Sequence, residues 1–358
     1  MIKETNTEGA VRESRCERDP GMPERKALTV EKTTWSPALH PLKIGGVSLE
    51  NNLILAPMAG VSDLPFRLLC REMGAGLVCM EMVSAKAILY HNKNTKVLLE
   101  IDPKERPVSL QLFGSDPGIM AEIAKQIEDL PFDILDINMG CPVPKVVNNG
   151  EGSALMKDPL LVGKIVKAVS SAIQKPVTVK IRKGFYEGDR TAPEIAHVAE
   201  ESGAAAIAVH GRTREQYYRG KADWTIIRDV KEKVHSIPVL GNGDLLSGEN
   251  IDQMYAETGC DGFLIARGAQ GNPWIFRQMI HYLTTGKEEK RPDLQEMKVM
   301  MLRHARRMIE FKGEDIGMRE MRKHAAWYTM GYRGASAFRR EVNQVTTYRD
   351  LEKLLENI

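Results

Sequence analysis

The chain has 358 residues, 42% of them hydrophobic and 27% charged, with a formal net charge of +2. That composition supplies a large core, and no apolar stretch reaches the roughly 20 residues needed to span a bilayer. The five cysteines, Cys16, Cys70, Cys79, Cys141 and Cys260, lack CxxC spacing, which speaks against a disulfide framework and against a zinc site.

Residues 1–38 are polar and charged, without a hydrophobic period, and include Asp19-Pro20-Gly21-Met22-Pro23. A disordered extension is expected there, with Met22 as a possible downstream start. The N-terminus has no charged-then-apolar secretory pattern, so a reducing cytoplasm is the expected compartment.

Short apolar, β-branched runs follow at 53–56, 77–82, 108–112, 134–137, 177–181, 206–209, 239–240 and 263–266, with helical patterns between them. Helix starts are legible where an N-cap acceptor meets proline, at Asp116-Pro117 and Asp158-Pro159. Ser62 or Asp63 before Pro65, and Thr191 before Pro193, serve similarly. Eight β-then-α units over about 240 residues predict an α/β fold, a (β/α)8 TIM barrel over 39–285. A doubly wound sheet seldom gives eight such even repeats.

The pattern then changes. Helical spacing at 297–311, 318–332 and 348–355 predicts a separate small helical domain over 291–358, joined by the charged linker 286–290. Residues 291–358 hold 14 Lys/Arg against 10 Asp/Glu, whereas the rest of the chain holds 36 against 38. Such an excess suits a solvated helical face or the phosphate footprint of a nucleic acid.

If the barrel forms, its strand ends converge on one site. Those ends carry Pro57-Met58-Ala59, Glu81, Gln111, Asn138 with Cys141, Lys180 with Arg182, His210, Asn242-Gly243-Asp244 and Arg267. Cys141 sits on a turn, Asn138-Met139-Gly140-Cys141-Pro142, where a thiol is displayed rather than packed. The turns at 241–244 and 266–269 are rich in glycine. After the last two strands of this fold, such turns bind phosphate through backbone N–H groups, and Arg267 would add a charge-assisted clamp. No HExxH, HxxEH or carboxylate cluster argues for a metal.

In their order and spacing these motifs resemble the tRNA-dihydrouridine synthases over about residues 41–345, with the flavour of the bacterial B-type branch. The residues concerned are Ala56-Pro57-Met58-Ala59-Gly60-Val61-Ser62-Asp63, the Cys141 turn, Lys180-Ile181-Arg182-Lys183-Gly184 and His210-Gly211-Arg212-Thr213-Arg214-Glu215-Gln216. To these are added Gly241-Asn242-Gly243-Asp244, Ala266-Arg267-Gly268 and Gly271-Asn272-Pro273-Trp274. The resemblance implies an FMN enzyme that reduces the C5=C6 bond of uridine in the tRNA D-loop with NADPH or NADH, with no obligate protein partner. It implies that Pro57, Met58 and Ala59 line the flavin and that Gln111 and Lys180 bind its ring. A lysine there stabilises negative charge on the reduced ring, and a glutamine suits its polar edge. His210, Asn242, Gly243, Asp244, Ala266 and Arg267 fall in the ribityl and phosphate region. Cys141 matches the general acid, Asn138 and Arg182 match base-orienting residues, and Arg212, Arg214 and Arg219 are expected RNA contacts. Many relatives have Gly-Arg where this chain has Ala266-Arg267.

The basic residues Arg303, Arg306, Arg307, Lys312, Arg319, Arg322, Lys323, Arg333, Arg339 and Arg340 would grip the tRNA backbone. A flavin-dependent dihydropyrimidine or dihydroorotate oxidoreductase shares the barrel and the cysteine turn but needs no basic helical tail. A non-catalytic RNA-binding protein would need no flavin.

Overall fold

Each of the eight apolar runs is a strand in the computed structural model, which describes residues 35–93 and 95–358. A short antiparallel hairpin, β1 (Leu42–Ile44) and β2 (Val47–Leu49), comes first. The barrel strands are β3 (Leu53–Leu55), β4 (Leu77–Ser84), β5 (Val108–Phe113), β6 (Ile134–Met139), β7 (Val177–Arg182), β8 (Ala206–His210), β9 (Val239–Asn242) and β10 (Gly262–Ile265). They pair in parallel in chain order and close through β10 and β3. Several strands run past the first polar residue: Asn138 and Met139 still pair with Lys180 and Ile181. A polar side chain is tolerated there because it faces the barrel mouth, not the apolar interior.

Inside the barrel, Ile54, Leu77, Ile134, Ala206, Leu240 and Leu264 cluster with Leu42, Ile44 and Leu49 of the hairpin. Leu77, Ile134 and Ala206 begin their strands, so the hairpin plugs the N-terminal end. Two three-residue strands are too short to show a period of two, and sequence reading missed them. Outward-facing Val78, Leu110, Leu135, Val179, Ile207 and Phe263 meet helix residues such as Ile123, Ile165, Ile195 and Ile226. Each fully buried side chain of this kind contributes about 1.5–3 kcal/mol.

Three of the expected helix starts hold. The side chains of Asp63, Asp116 and Asp158 accept from the backbone N–H groups of Phe66, Ile119 and Leu161. Thr191 does not cap: it precedes the helix Ala192–Glu201 in helical conformation, which turns its hydroxyl away from the first-turn N–H groups.

The expected extension also needs correction at its end. Residues 1–34 lie outside the described residues, but 35–38 belong to the barrel. Trp35 and Ser36 donate backbone N–H bonds to Thr284 and Leu283, and Ala38 is fully buried.

Beyond the barrel lie helices Leu294–Lys312, Glu314–Tyr328, Ala335–Glu341 and Tyr348–Glu356. The second begins just after Gly313 and ends before Gly331 and Gly334, both at positive φ, four residues earlier in register than its apolar spacing predicts. These helices are not a body apart, because barrel and helices form one compact unit. Leu69 and Trp274 of the barrel share one apolar cluster with Met297, Met301, Met321, Tyr328 and Phe338. Glu72 pairs with Arg303 at 2.8 Å and Arg307 at 2.7 Å, and Asp63 pairs with Lys312 at 2.8 Å.

Within this junction His304 and His324 are fully buried, with ring centroids 4.6 Å apart, beside Phe66. Burial holds both imidazoles neutral, with His304 pushed down to about 4 and His324 well below its ordinary value. The unfolded chain therefore takes up these protons first, near pH 6.5. Stability is present above that pH and is lost as pH falls toward 4, by about 3 kcal/mol for His304 alone. Urea unfolding at stepped pH should show this slope, and His304→Leu should flatten it. An unchanged slope in that variant would assign acid sensitivity elsewhere.

Candidate active site at the barrel mouth

The C-terminal ends of the strands surround a cavity of about 470 Å³. Its walls include Pro57, Met58, Ala59, Gln111, Asn138, Cys141, Lys180, Arg182, His210, Asn242, Gly243, Asp244, Ala266 and Arg267. The loop after β3 is held by the Ser62 hydroxyl, which accepts from Met58 N at 2.9 Å, and by the Glu81 carboxylate, which accepts from Gly60 N.

On one side a polar chain leads to the thiol. Thr178 Oγ1 and Gln111 Nε2 each donate to Asp136 at 2.6 Å. Asn138 Nδ2 donates to Gln111 Oε1 at 2.9 Å. Asn138 Oδ1 in turn accepts from Gly140 N at 3.2 Å and Cys141 N at 2.9 Å. Ser153 Oγ donates to the Cys141 carbonyl at 2.9 Å. The chain passes close by at Gly152, at φ +60°, where a Cβ would lie 2.9 Å from that carbonyl oxygen. Arg182 closes the turn, donating from Nε to Gly140 O at 2.7 Å and from Nη1 to Thr213 O and Tyr217 O. Burial pushes the Cys141 thiol up, against a smaller downward pull from the Val143 N–H, Arg182 and Lys180. It is a protonated thiol at neutral pH.

Lys180 is half-buried at the barrel mouth, and its ammonium is brought down to about 8, first by desolvation and then by Arg182. Among the described residues its hydrogen-bond acceptor is Asn242 Oδ1, at 3.1 Å. The Asn242 amide is oriented by donating to Leu264 O at 2.8 Å. His210 is held neutral by burial and by the surrounding Arg182, Lys180, Arg212 and Arg267. Gly243 sits at φ +129°, with Ala222 Cβ 2.6 Å from where its own Cβ would be. Ala266 has φ −114°, so the position does not call for the positive φ that glycine adopts freely.

One sequence expectation changes here. Arg212 is 1% exposed and is no surface contact for RNA. Its guanidinium is held by Asp244 at 2.8 Å and by the Arg219 and Gly220 carbonyls. Asp244, which lines the cavity, also accepts from Arg267 at 2.8 Å and Ala222 N at 2.7 Å. Arg214 lies outside the cavity wall with its guanidinium 5.3 Å from the Phe185 ring centroid, and Arg219 is exposed on the same loop. Of the ten basic residues in the helical region, Arg303, Arg307 and Lys312 serve the docking onto the barrel, and Arg322 donates to Val345 O. Arg306, Arg319, Arg333, Arg339 and Arg340 are exposed.

Sequence reading missed Asp136 as a site residue, and it missed Tyr217 and Tyr218, which also line the cavity. The Tyr218 ring centroid is 5.6 Å from the Arg182 guanidinium and 5.5 Å from that of Arg267. The available signal was an adjacent aromatic pair inside an arginine-rich loop.

A family model described as "Dihydrouridine synthase (Dus)" matches residues 54–358. The tRNA-dihydrouridine synthase B of Pseudomonas aeruginosa is 44% identical over 304 residues, 85% of this chain and 91% of that protein. The protein of the same name from Pseudomonas putida is 45% identical over 307 residues, 85% of this chain and 90% of its own. A probable tRNA-dihydrouridine synthase of Rickettsia conorii is 42% identical over 303 residues, 84% of this chain and 91% of its own. Among solved structures, histamine dehydrogenase from Rhizobium sp. 4-9 superposes with a TM-score of 0.52 at 12% identity, over 74% of this chain and 50% of that one. This last likeness is one of fold alone. Sequence agreement over so much of both partners' length leaves no room for a shared fold without shared descent: the chain belongs to the dihydrouridine synthase family, on its B-type side.

Proposed function

We propose that this protein is a tRNA-dihydrouridine synthase that reduces the C5=C6 bond of D-loop uridines to 5,6-dihydrouridine, with FMN in the barrel mouth and NADPH or NADH as reductant. The observation that carries the reading is a protonated thiol, a half-buried ammonium and a glycine-rich turn opening onto one cavity. The cavity suits a flavin. Lys180 is a half-buried cation with an Asn242 side-chain oxygen as acceptor, and an electron-rich ring edge would complete its bonding. Gln111 keeps one N–H and one lone pair beyond its internal bonds for the same ring. Pro57, Met58 and Ala59 give an apolar wall, and Gly243 and Arg267 suit a phosphate.

When bound, FMN supplies the hydride that adds to uracil C6. The protein must then place a proton at C5 from the opposite face. Cys141 holds that proton on Sγ, and burial keeps it there at neutral pH. Asn138 and Arg182 frame the thiol and orient the base, with Tyr217 and Tyr218 on the same cavity wall. The base has to leave its stack, at a cost of a few kcal/mol that is least in a loop. In this reading residues 39–285 are the catalytic domain and 291–358 the tRNA-binding region. The exposed Arg306, Arg319, Arg333, Arg339 and Arg340, with Arg214 and Arg219, would meet the phosphate backbone. Among the described residues no helix is long and apolar enough to cross a membrane.

The test is an absorption spectrum of purified protein, followed through NADPH reduction and reoxidation by tRNA lacking modifications. Flavin bands that bleach and return only with tRNA are expected. Reoxidation by a free pyrimidine but not by tRNA would favour a dihydropyrimidine-type oxidoreductase. Protein that stays colourless after added FMN would overturn the enzyme reading.

A further inference from the structure

Asp136 lies on β6 directly between Gln111 of β5 and Thr178 of β7 in the barrel register, and it is 7% exposed. A carboxylate is an acceptor only, whereas an amide can present either end. With Asp136 ionised, Gln111 must turn Nε2 toward it, which leaves Oε1 to face Asn138. Asn138 must then turn Nδ2 toward Gln111, which leaves Oδ1 for the Gly140 and Cys141 N–H groups. One acceptor thus orders every amide between the barrel interior and the thiol turn. Thr178, the second donor to the carboxylate, holds it in place.

We propose that Asp136 is a positioning residue which, through Gln111 and Asn138, sets the cofactor-facing amide and holds the Cys141 turn in its reactive geometry. It neither lines the mouth cavity nor touches the thiol, so besides its charge near Lys180 it reaches the site through those two amides. The inference rests on the synthase reading for its activity arm, but not for its labelling arm. Burial raises the Asp136 carboxyl, and the bonds from Gln111 and Thr178 with the nearby Lys180 ammonium oppose that rise without reversing it; the order of the amides rests on the geometry, in which both carboxylate oxygens accept.

The substitutions are Asp136→Leu, which removes the acceptor at similar size, Asp136→Asn, which keeps one acceptor and can donate to Thr178, and Thr178→Val, which frees the carboxylate. Alkylation of flavin-loaded protein by iodoacetamide is followed at each cysteine by peptide mass spectrometry. Cys141 should react about 3-fold faster or more in Asp136→Leu, with Cys70 and Cys260 still protected. Dihydrouridine formation on unmodified tRNA should lose about 10- to 100-fold in kcat, with KM for tRNA little changed, because a misplaced acid costs rate rather than binding. Asp136→Asn should restore most of both, and Thr178→Val should show a milder loss of the same kind. If Asp136→Leu does not fold, Thr178→Val carries the test alone. Unchanged Cys141 labelling, labelling of all the buried cysteines together, or failure of Asp136→Asn to restore either readout would overturn the proposal. Absence of product from the unsubstituted enzyme would instead count against the synthase reading, and the labelling result would stand by itself.

Discussion

Replacing Cys141 with alanine is expected to lower dihydrouridine formation by about 10²- to 10⁴-fold, the usual worth of a positioned general acid. The flavin should stay bound, because the residues that would hold it, Lys180, Gln111 and the glycine-rich turns, do not depend on the thiol. The donor's chemistry follows from its surroundings. Burial raises the thiol, and the partial compensation by Val143 N–H, Arg182 and Lys180 does not reverse the direction. The protonated, donating form therefore persists to higher pH than for an ordinary cysteine near 8.5. Activity should hold through neutrality and fall only on the alkaline side, where the proton is lost. A single-turnover assay of the reduced enzyme with unmodified tRNA, alongside the flavin spectrum, measures both points. Product formation within twofold of the unsubstituted enzyme would remove Cys141 from the mechanism, and loss of flavin would make its role structural.

The second large effect concerns stability. Arg67 and Glu105 form a two-pronged pair, Nε to Oε2 at 2.5 Å and Nη2 to Oε1 at 3.0 Å, with side chains 3% and 0% exposed. Arg67 also donates to the Ser62 and Glu100 carbonyls, so it ties the helix Leu64–Glu72 to the segment entering β5. Desolvation raises the Glu105 carboxyl and Arg67 opposes that rise, which is the pattern of a charge kept only by its partner. Glu105→Ala strands a guanidinium in the interior and should cost about 3–5 kcal/mol in denaturant unfolding. The paired replacement Arg67→Met with Glu105→Leu should recover much of that loss, since it removes the stranded charge as well. Equal losses in the single and double variants would mean that packing, not the charge, sustains this corner. The same helix carries Leu69 and Glu72 to the helical region, so the consequences should reach the His304–His324 junction.

The barrel was legible because its signals are local. A strand buried on both faces must be a short apolar run, and an Asp-Pro pair at a helix start works within one turn. Cys141 was legible because glycine and proline bracket it whatever lies around them. Asp136 was not: in the run Ile134 to Met139 it looks like an interruption of an apolar strand, and its meaning comes from Gln111 and Thr178, 25 and 42 residues away. Arg212 misled for the same reason. Within an arginine-rich loop it resembles Arg214 and Arg219, and only the folded loop buries it against Asp244.

The eight-fold alternation, the family and the Cys141 turn can all be read along the chain, because each rests on residues near one another in it. Which charges are spent inside is visible only once distant segments have met. Arg303, Arg307 and Lys312 count toward a basic tail in the sequence, yet in the fold they answer Glu72 and Asp63. Whether a charge is available to a partner depends on burial and on the opposite charge brought within a few ångströms of it, and both are set by contacts between distant parts of the chain.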